Sequence, residues 1–500
     1  MGLKAALSKP FAAHVVRKLD KWRSDGVAAQ EAVFQHLVQT GKGTQFGAEH
    51  FFDRIHTYSD FRKNVPLRTY EDFEPYVERI MQGEKDVLWK GRPLYWSKTS
   101  GTTSGVKYIP ISKESIHNHL DSARNALLCY VHETGNTGFI DGKMIFLQGS
   151  PTLSKQGGID TGRLSGIVAH HVPGYLQRNR MPSFATNCME DWEEKVSAVV
   201  KETLPQPMSL ISGIPSWVQM YFERLIEVSG KANVGEVFPD FSLFVYGGVN
   251  FDPYRSIFDR LIGRPVDTIE TYPASEGFIA FQDSQKEDGL LLTAKAGIFY
   301  EFVPADEIGK TNPTRLSLSE VELGVNYAIV LNTNAGLWGY VIGDIVRFVS
   351  KDPYRLKVTG RTKHFISAFG EHVIGEEVDR AMRKVQEQFG GRVREFHVAP
   401  QVTPEEGNLP FHEWLVEFEQ LPQDLDAFSA ALDREMVDQN IYYKDLIDGN
   451  ILRPLKLSLI QQEGFVQMMK SRGKLGGQNK VPRLANDRSV ADVLLQWAKS

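Results

Sequence analysis

The 500-residue chain is too long for one ordinary hydrophobic core and calls for two or three domains. Its hydrophobic content of 42% is that of a soluble globular protein, and a net charge of −5 without a long basic run argues against nucleic-acid binding. Two cysteines, Cys129 and Cys188, cannot build a disulfide framework, and no metal-ligand spacing surrounds them, which fits a reducing cytoplasm.

No stretch approaches the ~20 apolar residues of a membrane span. The N-terminus lacks an apolar secretory core, and after Met1-Gly2 a myristoylation signal would want Ser or Thr where Ala6 stands. An untargeted cytoplasmic protein with no membrane partner is expected. In the first fifty residues, Phe11, Val15, Leu19 and Trp22 recur at helical spacing and predict an amphipathic helix packed on a large domain. From Pro93 the texture changes. Residues 94–98 predict a strand, then comes a Ser/Thr/Gly loop, then a second strand over 106–111. Ser112 is placed to cap a helix on which Ile116, Leu120, Ala123 and Leu127 share a face. Cys129 falls among that helix's apolar residues as core, while His117 and His119 point to different faces and make poor joint ligands.

Further short apolar runs end at polar or glycine-rich turns. These are 243–246 before Gly247-Gly248, 266–271 before Tyr272, and 327–331 before Asn332. Strands mixed with helices over this length predict an α/β fold, in which ligands gather where loops leave the strand ends. A boundary is expected near 360–363. Beyond it the pattern is α+β: a helix with Val378 and Met382, strands at 395–399 and 413–418, a helix at 425–436, and a strand at 455–460. The expected division is 1–360 and 361–500.

Three clusters carry chemistry. The first, Thr99-Ser100-Gly101-Thr102-Thr103-Ser104-Gly105, packs hydroxyls and glycines together. Glycine lets the backbone approach an anion, and N–H groups and hydroxyls can donate to phosphate oxygens. It is not a Walker A loop, since Gly101 and Gly105 are three residues apart and Lys107 is not placed as that motif requires. A plain surface turn accounts for such a loop equally well. The second is Thr271-Tyr272-Pro273-Ala274-Ser275-Glu276. Tyr272 could stack on a purine and Glu276 could bind Mg²⁺, though an ordinary turn with a solvated glutamate explains the segment alone. The third, Tyr340-Val341-Ile342-Gly343-Asp344, leads into a strand expected at 345–349. Asp344 could accept bonds from two ribose hydroxyls, or from backbone N–H groups of a turn.

In this order and spacing the clusters resemble the auxin-responsive acyl-acid-amido synthetases, the Gretchen Hagen family of the adenylate-forming superfamily. Val65-Pro66-Leu67-Arg68-Thr69-Tyr70-Glu71-Asp72 with Pro75-Tyr76, Glu320-Val321-Glu322-Leu323-Gly324, and Ala335-Gly336-Leu337 extend the resemblance over about residues 30–490. It implies a large mixed-sheet N-terminal domain binding ATP and acid, and a smaller mobile C-terminal one. By resemblance, Thr99, Ser100, Gly101, Thr102, Thr103 and Lys107 would lie in or beside the phosphate loop, with Thr103 catalytic. Gly247 and Gly248 would lie against the adenine. Tyr272, Ser275 and Glu276 would form the adenine, phosphate and Mg²⁺ wall. Asp344 would hold the ribose, and Arg361 would precede a hinge at Lys363.

Gly476-Gly477-Gln478-Asn479-Lys480-Val481-Pro482-Arg483 is similar to the family's lysine segment. It makes Lys480 the candidate for steadying charge during adenylation, with Lys474 second and a solvated basic tail the plainer reading. The chain departs from the plant members in having Gly339 and Val341 where they carry arginines. It also reaches Lys107 one residue sooner and has His372 at a plant lysine. His170-His171 supplies only two possible metal ligands. With Trp217, Tyr221 and Phe278 these histidines are candidate walls of an acyl pocket, against ordinary packing. The implied activity is a two-step ligase using ATP and Mg²⁺, joining a small carboxylic acid to an amine, an amino acid. The rivals are transfer to coenzyme A and a non-catalytic nucleotide- or acyl-binding protein.

Overall fold

The computed structural model describes residues 3–100, 106–172, 174–189, 191–248, 251, 254–361, 365–366, 368, 371, 373–402, 404, 409–448, 451–475 and 480–499. Two compact units emerge. One comprises Met1–Val249, Ile257–Ile342 and Val346–Lys357; the other comprises Asn250–Ser256, Gly343–Ile345 and Val358–Ser500. The mixed α/β class expected from the sequence is the one observed.

The first strands are β1 (Tyr95–Ser100), β2 (Val106–Ile111), β3 (Lys143–Phe146), β4 (Ser154–Gln156), β5 (Ile159–Gly162), β6 (Arg180–Met181) and β7 (Met208–Ser212). They continue with β8 (Leu243–Gly247), β9 (Asp267–Ala274), β10 (Gly277–Phe281), β11 (Leu290–Leu292), β12 (Ile298–Pro304), β13 (Asn326–Thr333), β14 (Tyr340–Lys351) and β15 (Tyr354–Arg361). A four-stranded sheet runs β2-β1-β5-β4, and an eleven-stranded sheet runs β12-β13-β14-β15-β11-β10-β9-β8-β7-β3-β6. Within the large sheet β6, β3, β7, β8 and β9 are mutually parallel, so their C-terminal ends share one edge. Parallel strands covered on both faces read as near-continuous apolar runs, as the buried Met208–Ile211 stretch of β7 does.

The helix Leu3–Arg23 forms as expected, but its buried stripe is Ala5, Ala12, Val15, Val16 and Leu19, while Phe11 is exposed. At about 100° per residue Phe11 lies at the border of that stripe, whose centre is near Ala12. The helix Ser115–Thr134 differs in the same way. Its buried face includes Asn118, His119 and Ser122, whereas Ala123 is exposed. Apolar periodicity alone misses that face because its polar groups are core members. Ser112 does act as a cap, its hydroxyl accepting the Ser115 N–H at 2.9 Å. His117 is exposed and His119 and Cys129 are buried, as the helical phase predicts.

The first unit also buries an ionic network. Glu301 is 0% exposed and takes both arms of Arg315 at 2.8 Å. The Asn332 amide and the Tyr58 hydroxyl, each at 2.9 Å, satisfy its remaining lone pairs. Arg315→Met strips the carboxylate of its counter-charge. Unfolding stability in urea should fall by about 3–5 kcal/mol, and a change under about 1 kcal/mol would refute this account of the network.

The second unit holds β16 (Phe365–Ile366) paired with β17 (Val373–Ile374), and a sheet in the order β18 (Arg392–Gln401), β19 (Phe411–Gln420), β20 (Lys456–Ile460). The helices Gly375–Phe389 and Leu425–Gln439 pack their apolar faces, Val378, Met382, Phe428 and Leu432, into this unit's core. Among the described residues no helix is long and apolar enough to cross a membrane.

Candidate active site

The stem of the expected phosphate loop is an antiparallel hairpin, with Thr99 opposite Lys107 and Ser100 opposite Val106. Gly101, Thr102 and Thr103, and the Ser100 side chain, lie outside the described residues. The Lys107 ammonium sits 5.4 Å from the centroid of Tyr70, whose hydroxyl accepts the Tyr108 N–H at 2.8 Å. Two residues before Thr99, the Ser97 hydroxyl donates to the Ser275 oxygen at 2.9 Å. That bond pins the hairpin to the second cluster.

There Ala274 pairs with Gly277, so Ser275-Glu276 is the two-residue turn between β9 and β10, at the C-terminal edge of the parallel block. The Glu276 carboxylate accepts the hydroxyl of Tyr340, which is 2% exposed. Burial first, and the Glu276 charge second, hold the Tyr340 phenol well above its ordinary pKa, so the proton stays in this bond. Tyr340 was visible in the sequence only as part of its cluster; its service to Glu276 was not. Asn118 also reaches the hairpin, accepting the Phe278 N–H at 2.5 Å and donating to the Phe278 carbonyl at 3.3 Å.

Gly247 ends β8 beneath this turn, and a Cβ there would meet the Thr271 carbonyl oxygen at 2.3 Å, so only glycine fits. Gly248 follows at φ +85°. Tyr272 is 7% exposed and belongs to the core cluster with Ile279, Tyr300 and Leu331, so its ring is packed protein rather than an open platform.

The third cluster corrects an expectation. Asp344 stands inside β14, not at a strand start, because the strand already begins at Tyr340. Residue 68 pairs with it: the Arg68 N–H donates to the Gly339 carbonyl, and the Val341 N–H to the Arg68 carbonyl, both at 2.8 Å. Gly339 has φ +60°, and a Cβ there would lie 2.4 Å from the Pro66 carbonyl oxygen. The backbone here is shaped for glycine, so the plant arginine has no place at this position.

In the second unit Asp344, Arg361 and Lys480 come together. Arg361 Nε lies 2.7 Å from Asp344 Oδ1. The Lys480 residue is exposed, while the protein around its amine still takes water from it. That desolvation, with Arg361 close by, lowers its pKa to about 8, against the opposing pull of Asp344. The segment after Lys480 is bolted to the β18–β19 sheet. Arg483 pairs with Asp379 at 3.1 Å and with Glu395, stacks 4.4 Å over Phe396, and Pro482 receives His397 at 2.8 Å. The lysine motif gives Arg483 no role in sequence; in the structure this part-buried arginine between two carboxylates is the anchor. Lys474 is exposed, and Lys363 and His372 lie outside the described residues.

The five candidate pocket residues separate. Phe278 packs with Leu243, Ile269 and Phe281 in the core under the Leu3–Arg23 and Ser115–Thr134 helices. Trp217 lies 4.8 Å from Trp192, and the fully buried Tyr221 shares a 2.7 Å hydrogen bond with Thr203, both between the helices Pro215–Ser229 and Trp192–Thr203. His170 Nε2 meets the Pro151 carbonyl at 2.9 Å, and His171 Nε2 meets the Tyr95 hydroxyl at 3.1 Å. Burial lowers the His171 pKa, and His170 and His117 add to it. Trp217, Tyr221 and Phe278 are core side chains. Sequence hydrophobicity cannot separate a wall from a core, and here it does not.

Three consecutive family models match: the GH3 family N-terminal domain over residues 15–187, the central domain over 291–361 and the C-terminal domain over 376–489. The chain belongs to the GH3 family. Among its GH3 relatives, jasmonoyl–L-amino acid synthetase JAR6 of Nicotiana attenuata is 22% identical over 97% of this chain and 95% of its own length. Indole-3-acetic acid-amido synthetase GH3.8 of Oryza sativa subsp. indica is 21% identical over 96% and 91%. In fold the chain resembles GH3.15 acyl acid amido synthetase, with a TM-score of 0.80 at 15% identity over 97% of this chain and 96% of that one. It also resembles 2-hydroxyisobutyryl-CoA ligase in the postadenylation state, with a TM-score of 0.61 at 13% identity over 95% and 94%. The GH3 central match ends at Arg361, the partner of Asp344, and so includes the third cluster.

Proposed function

We propose that this GH3 protein is an ATP-dependent ligase that adenylates a carboxylic acid and transfers the acyl group to an amino acid. The observation that carries the reading is Glu276, held by buried Tyr340 at a strand-end turn that Ser97–Ser275 ties to the phosphate-loop hairpin. A carboxylate oxygen of the acid attacks the α-phosphorus of ATP, and the bond to pyrophosphate breaks. The amine nitrogen of the acceptor then attacks the acyl carbon, AMP leaves with the bonding pair, and the nitrogen loses a proton. No side-chain nucleophile is required, because the work is alignment and charge stabilisation.

Among the described residues no group of three His, Cys, Asp or Glu could cage a metal. A single oriented carboxylate fits Mg²⁺ instead, which keeps waters and phosphate oxygens as ligands. When bound, the ion neutralises phosphate charge, and Glu276 is the residue that would hold it. Lys107 and the hydroxyls of the hairpin loop would meet the phosphates. Gly247-Gly248, with no side chains to intervene, would lie under the adenine. Asp344 would hold the ribose, and Lys480 in the smaller unit would face the developing charge, with the hinge at Lys363 letting that unit close differently for each step.

The test is purified protein with ATP, Mg²⁺ and a panel of acids, beginning with jasmonic and indole-3-acetic acids because the relatives are named for them. Hydroxylamine serves as a generic trap. Acid-dependent pyrophosphate release and a hydroxamate are expected, and an amide appears when amino acids replace the trap. ATP binding with no acid-dependent release across a broad panel would overturn the ligase, and a thioester formed in preference from coenzyme A would move it to the other acceptor. Asp344→Ala should raise KM for ATP about tenfold or more, since it removes hydrogen bonds to a charged acceptor worth about 1.5–3 kcal/mol. An unchanged KM for ATP would take the ribose role from Asp344.

A further inference from the structure

The parallel block ends in a second polar site, at the loop 147–152 that leaves β3. Lys195, on the helix Trp192–Thr203, is only 3% exposed and donates to the Gln148 carbonyl at 2.9 Å and the Asn187 carbonyl at 2.7 Å. An ammonium has three donors, so one remains. Arg163 follows β5 and lays its stem against Gly149, where a Cβ would meet its Cδ at 2.6 Å. That same Cβ position lies 3.7 Å from the hydroxyl of Ser165, a buried oxygen with no hydrogen-bond partner. The Arg163 guanidinium makes no hydrogen bond or ion pair among the described residues, and it is close enough to Lys195 for the two to repel. Burial alone lowers the pKa of Arg163; burial first and Arg163 last lower that of Lys195, with Cys188 between them pulling the other way, and no carboxylate contributes to either.

The carboxylate of Glu202, on the same helix as Lys195, is occupied by Ser183 and Thr186. Nearby Arg180 stacks 5.0 Å over Phe146, and among the described residues its guanidinium reaches only the Ala169 carbonyl. A half-buried guanidinium, a buried ammonium with a spare proton and an unsatisfied hydroxyl, gathered around residues 148–149 with no carboxylate partner among the described residues, are the donor set for an oxyanion. Neighbouring strands lie about 4.8 Å apart, so β3 stands about 10 Å from β8 and about 14 Å from β9 along the shared edge. That separation is too large for contact with the reacting phosphorus and suits the far end of a substrate.

We propose that Arg163, Lys195 and Ser165 bind a substrate carboxylate other than the one that reacts. The inference rests on the ligase reading for its kinetic test. Its source is either the distal carboxylate of a dicarboxylic acid or that of an acidic amino-acid acceptor, and two experimental arms separate them. In the first, acids of equal length ending in carboxylate or in amide are compared with hydroxylamine as acceptor. In the second, glutamate and glutamine are compared with one monocarboxylic acid.

At least one arm should show kcat/KM about tenfold or more in favour of the extra carboxylate. The preference should collapse toward parity in Arg163→Gln and partly return in Arg163→Lys. No preference in either arm, or one that survives Arg163→Gln, would overturn the site. Thermal unfolding of each variant monitors the fold. If no acid supports turnover, calorimetric titration with glutarate decides without catalysis. Binding that weakens about tenfold in Arg163→Gln supports the site, and equal or absent binding removes it.

Discussion

Glu276→Gln should lower the rate of acid-dependent pyrophosphate release about 100-fold or more at saturating ATP. The substitution keeps the shape and the Tyr340 hydrogen bond but removes the charge that a hard cation requires. The loss should therefore be steepest at low Mg²⁺ and shrink, without vanishing, as Mg²⁺ is raised. Tyr340→Phe tests the other half of the arrangement. It leaves the carboxylate charged but removes the Tyr340 hydrogen bond, so a decrease of about tenfold is expected, matching one hydrogen bond to a charged group. The Mg²⁺ concentration for half-maximal rate should rise in the same variant. Glu276→Gln turning over like the parent at limiting Mg²⁺ would remove Glu276 from the metal role and leave the turn a structural one.

How much of this was legible beforehand depended on the kind of signal. Runs such as Met208–Ile211 and Phe278–Phe281 are apolar at every position because both faces of a central strand are covered, so the α/β class was readable. The clusters at Thr99, Glu276 and Asp344 were readable because glycine and hydroxyl residues bunch where the backbone must approach something closely, and Gly247 against Thr271 shows that crowding. The partners that orient the clusters were not. Tyr340 to Glu276, Ser97 to Ser275 and Asn118 to Phe278 span 64, 178 and 160 residues of sequence, and no local period records such a contact. Wall and core could not be told apart for Trp217, Tyr221 and Phe278, since both environments favour large apolar side chains. Arg163 and Lys195, which have no carboxylate partner among the described residues, carried no signal either, because a charge without a counter-ion reads in sequence as an ordinary surface residue.

Lys480→Ala should slow adenylation by about 10²–10³-fold, which corresponds to about 3–4 kcal/mol for one well-placed electrostatic contact. The pH dependence distinguishes this from a general loss of structure. With a pKa of about 8 the ammonium is charged below that value and neutral above it, so the parent's adenylation rate should fall as pH rises through about 8. Lys480→Ala should be slow at every pH and lack that limb. Lys480→Arg keeps its charge throughout, so its rate should be level across the same range. The neighbours set the direction of two further shifts. Arg361 lowers the Lys480 pKa and Asp344 raises it, so Arg361→Ala should move the limb to higher pH and Asp344→Ala to lower pH. Burial is common to all of these proteins and cancels from the comparison. A limb that persists in Lys480→Ala would assign the titration to another group. One that moves the wrong way in both neighbours would break the link between Lys480 and the Asp344–Arg361 pair. Transfer from a supplied acyl-adenylate to an amino acid should suffer less in Lys480→Ala, because the charge that Lys480 would face develops when pyrophosphate leaves.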